Sequence, residues 1–299
     1  MKHLPTALSL AAMLAMYGAS AIAQTTKDGT QLEWRNELTV VPYTIKVGDK
    51  EFPAHTISIF EVDASTALDL WKAEYLPISA KVDGKPMRAT STRLPKLQEA
   101  PVTVLAEASS DKKAGLAKLT VAFLADDTTA LPEDPAQAAV AHDLAVSLNK
   151  AVVQRQIDRY QKELDKVTDK YGGSQEDVAK AKSKVTKTNR SLDKTRSKRA
   201  KIEANNARLY GEIAGLEKKF ALSNDPKDLK KLTKARSKLA NNEKDQAKLL
   251  TQEVKLEGSL GKQQNTVESH ATKAADHAES KEDLLRIVTA LKRKYDKIR

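Results

Sequence analysis

The densest chemistry-bearing stretch of this 299-residue chain runs from Lys180 to Lys201 and holds ten Lys or Arg against one acid, Asp193. Within it, Lys180, Lys182, Lys184, Lys187, Arg190, Lys194, Arg196, Lys198 and Lys201 form a candidate face for an anionic partner. Closely spaced cations raise the local concentration of any polyanion, membrane surface or acidic client, whatever its detailed structure. No aromatic residue interrupts the run, so stacking on nucleic-acid bases has nothing to work with. The competing reading is a solvated helical surface, partly neutralised by a partner helix.

Other residues with chemical potential are sparser. His270 and His277 lie seven apart, on one face of a helix, and neutral imidazoles suit zinc or copper. Two ligands make an incomplete site, so a polar patch is expected there, one that could loosen in acid as the imidazoles charge. Asp126, Asp127, Glu133 and Asp134 offer oxygen ligands for calcium but lack the spacing of an EF-hand, and read as an acidic loop. Gly258-Ser259-Leu260-Gly261-Lys262 ends like a phosphate loop, with the wrong spacing and inside a helical pattern. The chain contains no G-x-S-x-G, H-E-x-x-H or G-x-G-x-x-G motif, and no cysteine. Thiol nucleophiles, disulfides and cysteine zinc sites are therefore excluded. The expectation is a protein that is not an enzyme and carries no cofactor or metal.

The elements that must position these residues are long helices. Stepping alternately four and three residues from Val153 to Phe220, fifteen of twenty positions are apolar. The same walk from Leu232 to Ile298 finds thirteen of twenty. A stripe this narrow cannot enclose a globular core and must pair with another helix, as in a coiled coil. Between the arms, Ser223-Asn224-Asp225-Pro226 breaks the helix, since proline is tolerated only at a helix start, where Asp225 can cap. Folding back there sets the polar seam residues against one another: Asn206 near Asn242, Arg199 near Glu253, Thr188 near Gln263, Ser174 near His277. Such pairs fix register at a cost in stability. Gly172-Gly173 before Ser174-x-x-Asp177 reads as a helix stop and restart, and Ser280-x-x-Asp283 offers a matching one. A joint is therefore expected near 172–174 and 278–280 of a hairpin spanning 144–299, with its turn near 223–227.

The first 23 residues read as a secretory signal peptide: Lys2 and His3, an apolar run from Leu4 to Tyr17, and a cleavage site at Ala21-Ile22-Ala23. No later run is long and apolar enough for a membrane span. A periplasmic or extracellular location follows. Charge divides by region, with 13 basic and 18 acidic residues from Gln24 to Asp143 and 37 basic against 22 acidic from Leu144 on.

Residues 24–125 read as a small α+β head, followed by a linker over 126–143. Strand and hairpin signals cover Gln31–Val41, Tyr43–Phe52 around Gly48-Asp49, and Thr56–Val62. Asp63 caps a short helix with Ala67, Leu68, Trp71 and Tyr75 on one face. A hairpin at Asp83-Gly84 and two strands, Pro101–Glu107 and Leu116–Ala125, complete an antiparallel sheet. One sheet with helices on a single face would bury Trp71 with the start of the long helix, and a split βαβ or ferredoxin-like order fits the element sequence.

The run Leu70-Trp71-Lys72-Ala73-Glu74-Tyr75, the paired strands ending in Leu119-Thr120-Val121-Ala122-Phe123, and the basic coiled-coil tail resemble a family of uncharacterised exported proteins of Bacteroidota, from about Ile57 onward. That resemblance implies export and leaves activity open. The architecture also resembles the Skp/OmpH periplasmic chaperones, whose helical tentacles surround unfolded outer-membrane proteins, although in those the chain returns to the body. The expected function is thus an exported, non-enzymatic scaffold whose head docks on an envelope protein while its basic stalk bridges or spaces. A holdase chaperone and a coiled-coil activator of a cell-wall hydrolase are the alternatives. Anionic surfaces or polymers and further copies of the chain are candidate partners, and nucleic acid is not expected.

Overall fold

The structure, a computed structural model, describes residues 25–126 and 128–299. The expected signal peptide and Asp127 lie outside the described residues. The chain is α+β and divides into two compact units. One runs up to Leu164 and includes Asp283–Arg299; the other is Asp165–Glu282.

The first unit holds a six-stranded antiparallel sheet. Its strands are β1 (Val40–Val47), β2 (Lys50–Phe60), β3 (Lys81–Asp83), β4 (Met87–Thr92), β5 (Val102–Asp111) and β6 (Leu116–Leu124), in spatial order β1-β2-β6-β5-β4-β3. Gly48 takes a left-handed φ of 61° and lets Val47 pair with Lys50 across the β1–β2 turn. Helix α1 (Ala64–Tyr75) is capped by Asp63, whose carboxylate accepts from the Thr66 N–H at 2.8 Å. β3 to β6 form a meander whose last strand pairs antiparallel with β2. The ferredoxin-like expectation is corrected here: that order sets a single strand between the two strands joined through the first helix, whereas β6, β5 and β4 all lie between β2 and β3.

Alternation along β2, β5 and β6 sends Ile57, Ile59, Val104, Ala106, Leu119 and Val121 to one face, where they meet Trp71 and Tyr75 of α1. The same core takes Val140, Ala141, Leu144, Leu148 and Val152 from helix α2 (Pro135–Ser223). Trp71 is fully buried there, with the start of the long helix against it. The expected linker over 126–143 is therefore too long. Pro135 opens α2 behind the capping carboxylate of Asp134, and the helix is needed at once to cover the sheet. The strand expected from Gln31 is corrected too. Residues 33–39 make no ladder although they keep a strand's alternation, with Leu32, Trp34 and Leu38 on the side packed against long-helix residues.

Two polar clamps tie this unit together. Asn149, almost wholly buried on α2, accepts from the Phe60 N–H at 3.0 Å and donates to the Ser58 carbonyl at 2.9 Å, so it saturates the end of β2. Lys294, 1% exposed and near the end of helix α3 (Pro226–Lys297), donates to the Gln31 carbonyl at 2.8 Å and to Glu61 at 2.6 Å. The other oxygen of Glu61 accepts from Gln156 at 2.8 Å. Leu291 on the same helix and Ile298 just beyond its end are buried with Leu32, Ile157, Tyr160 and Leu164.

In the second unit the two long helices pack together, consistent with a hairpin. Asn224 adopts a left-handed φ of 51° and its N–H closes on the Phe220 carbonyl; Asp225 then accepts from the Lys227 N–H at 2.8 Å. Both helices run without interruption through 172–174 and 278–280, which corrects the expected stop and restart. Each glycine costs a helix about 1 kcal/mol relative to alanine, less than cooperative propagation and cross-arm packing return. The Tyr171 ring, for instance, lies under the Lys281 ammonium at 5.4 Å. Ser280, expected to cap, bonds back to the Asp276 carbonyl as a mid-helix serine does.

Replacing Lys294 by methionine leaves the Glu61 charge stranded and should cost about 3–5 kcal/mol in urea denaturation. Adding Glu61→Gln should recover part of that loss. Asp28 supplies a pH dependence. The hydrogen bond from Thr26, joined by those from Tyr160 and Thr30, holds its carboxyl well below the usual carboxylate range against an opposing effect of burial that is second only to the Thr26 bond. The folded group thus titrates below the unfolded one, so its contribution is complete above about pH 4 and is lost as the pH falls further, toward the folded value. Denaturation midpoints should drop in that acid window, and less steeply in Asp28→Asn.

Candidate functional site: a one-sided basic flank

The geometry of the candidate site starts from the polar layers of the seam in the second unit. Asn242 Nδ2 donates to Asn206 Oδ1 at 2.9 Å, and Thr188 Oγ1 donates to Gln263 Oε1 at 2.9 Å. Glu253, 7% exposed, receives Arg196 Nε at 2.8 Å. Its other oxygen has Arg199 Nε at 3.1 Å, a charge contact whose angle is too poor for a hydrogen bond. Three of the four pairs expected from the sequence thus meet. Ser174 and His277 make no hydrogen bond to each other among the described residues.

These layers fix which sides of the arms face each other. Residues that follow a seam position by one meet across the pair: Arg196 with Glu257 at 2.6 Å, Tyr210 with Glu243 at 2.6 Å, and Arg236 with Glu217 at 2.6 Å. That flank balances its charges across the arms. The opposite flank carries the residues that precede each seam position by one.

On α2 this second flank presents Lys180, Lys184, Lys187, Ser191, Lys194, Lys198 and Lys201, each one residue before Ala181, Val185, Thr188, Leu192, Thr195, Arg199 and Ile202. On α3 the corresponding positions are Lys248, Gln252, Lys255, Ser259, Lys262 and Thr266. No carboxylate occupies either row over this span. Lys180 pairs with Glu176 and Lys248 with Asp245. Lys184, Lys187, Lys194, Lys198, Lys201, Lys255 and Lys262 are solvent-exposed and make no ion pair among the described residues.

The nine candidates from the sequence therefore separate. Six share the basic flank, while Lys182 and Arg196 lie on the balanced one and Arg190 points outward between them. Arg196 in particular is consumed by Glu253 and Glu257, whose hydrogen bonds raise the affinity of its guanidinium for its proton. Lys255 and Lys262 lie outside the dense run of cations and join this flank from the other arm. Their position one residue before the seam is a signal the sequence does carry.

The remaining candidates are placed as follows. His270 and His277 sit half-buried on the seam side of α3. Asp126 accepts from the N–H and hydroxyl of Thr128 and from the Thr129 N–H, and these three hydrogen bonds hold its carboxyl below the usual range. No group of three or more His, Asp or Glu side chains gathers among the described residues. Gly258 to Lys262 lie inside α3. In the first unit a cleft of about 560 Å³ is bordered by Asp28, Glu61, Thr66, Arg155 and Gln156. Asp28 and Glu61 are already engaged as described.

Comparison of the chain with protein-family models, with curated proteins and with solved structures yields no match. Among the described residues, no helix is long and apolar enough to cross a membrane. The class is defined by the fold and the flank alone: an α+β protein with two very long packed helices, one flank of which is basic and free of carboxylates over Lys180–Lys201 and Lys248–Thr266.

Asn242→Leu leaves the buried Asn206 Oδ1 without its donor, while Asn206 Nδ2 keeps Gln246 at 3.2 Å, and should lower stability by about 1–3 kcal/mol. The double replacement Asn206→Leu/Asn242→Leu should recover that loss or exceed it, as read by thermal denaturation followed by circular dichroism.

Proposed function

We propose that this protein is an exported, non-enzymatic interaction protein whose α+β unit docks on an envelope protein while its coiled-coil arms hold an anionic partner and act as a spacer. The observation that carries this reading is the sidedness of the charge. Seven exposed lysines without ion-pair partners share one flank, while the other flank neutralises itself. Charge that served only for solubility has no reason to segregate in this way. The commitment of Asp28 and Glu61 to structural roles supports a non-catalytic reading of the cleft that they border.

A holdase is the second reading. It draws support from Lys294, Leu291 and Ile298, through which the end of α3 returns to the body and is anchored in the α+β core. The two readings separate when tagged mature protein is crosslinked in its native envelope. One or two partners at fixed stoichiometry, crosslinked through the α+β unit and insensitive to salt, are the expected result. Many unfolded outer-membrane proteins at variable yield would replace the scaffold reading with the chaperone one.

A further inference from the structure

Resting on the reading above that the basic flank receives an anionic partner, we infer that this partner is a linear acidic polysaccharide laid lengthwise along the flank. The lysines of α2 recur every three or four residues from Lys180 to Lys201. At about 1.5 Å per residue this is a straight ridge of roughly 30 Å with a cation about every 5 Å, interrupted only at Ser191. Lys255 and Lys262 form a second row beside it on α3, separated from the first by Gln252, Ser259 and Thr266. A straight, doubled row of point charges matches a chain that carries its carboxylates at regular intervals.

The composition of the flank argues against the other anionic macromolecules. A helix that lies on a bilayer buries an apolar face, and the flank's two rows contain no apolar residue between Lys180 and Lys201 or between Lys248 and Thr266. Phosphate recognition in nucleic acids favours the planar, bidentate guanidinium, yet every cation on this flank is lysine. Single strands are held through aromatic stacking, and no aromatic side chain stands in either row. The hydroxyl and amide groups between the rows are suited to hydrogen-bond sugar hydroxyls, which a bare polyelectrolyte site would not need.

The test uses the mature full-length protein with three probes: alginate oligosaccharides, a DNA duplex of similar length, and vesicles containing phosphatidylglycerol. Alginate should bind most tightly, with affinity falling steeply as salt rises. The quadruple variant Lys184→Gln/Lys187→Gln/Lys194→Gln/Lys198→Gln should weaken alginate binding by at least about tenfold. Lys182→Gln/Lys218→Gln/Lys230→Gln/Lys244→Gln, with the same net charge but off the flank, should change it by less than about threefold. Unchanged helical circular dichroism shows that both variants fold. If DNA or vesicles bind more tightly than alginate through the same four lysines, the polysaccharide is overturned and the anionic-partner reading stands. If the two variants behave alike with every probe, both fall.

Discussion

A helix whose apolar residues recur only every three or four positions has one way to leave water, which is to lie against another helix with the same stripe. Residues 165–282 obey that constraint along their whole length, and much else follows from it. Once the stripe is paired, every other position has a fixed address: in the seam, on one flank, on the other, or facing outward. The polar layers then choose the register. Asn206 finds Asn242 and Glu253 finds two arginines only in one alignment, and a slip would strand several of these groups without partners. The segregation of charge to one flank is meaningful because this alignment is unique.

Where the helices meet the sheet, the governing interaction changes from seam to buried ion pair. Lys294 is shielded from water almost completely, and its ammonium survives there only because a carbonyl and a carboxylate lie within hydrogen-bonding distance. Those two acceptors come from parts of the chain more than two hundred residues away in sequence. The loop at Gln31, the end of β2 at Glu61 and the last turn of α3 must therefore assemble together or not at all. Asn149 does the same for α2 and β2 without charge, at lower desolvation cost.

Local chemistry in the sequence made much of the architecture legible. The α1 cap at Asp63, the glycine turn at Gly48 and the proline-opened α3 rest on short-range rules, and three of the four polar seam pairs follow from counting outward along both arms from that turn. Failures came where a local signal was outvoted. Gly172-Gly173 weakens a helix by an amount that packing on both sides overrides, and Ser280 had a helical carbonyl to bond instead of a terminus to cap. The segment after Gln31 keeps the alternation of a strand and packs Leu32 and Trp34 in a helical core, but no neighbouring strand stands beside residues 33–39 to complete a ladder.

For the basic stretch, the sequence by itself determined that ten cations crowd into Lys180–Lys201, that the helix bearing them must pair, and where the pairing turns. It could do so because charge density, heptad spacing and proline geometry are properties of neighbouring residues. Only the tertiary structure decided which of those cations remain available. Arg196 is spent on Glu253 and Glu257, residues of the other arm, while Lys255 and Lys262 join the flank from that same arm. Whether a charge is neutralised or added to depends on what stands across the seam, and that neighbour is set by register, which no single stretch of sequence contains.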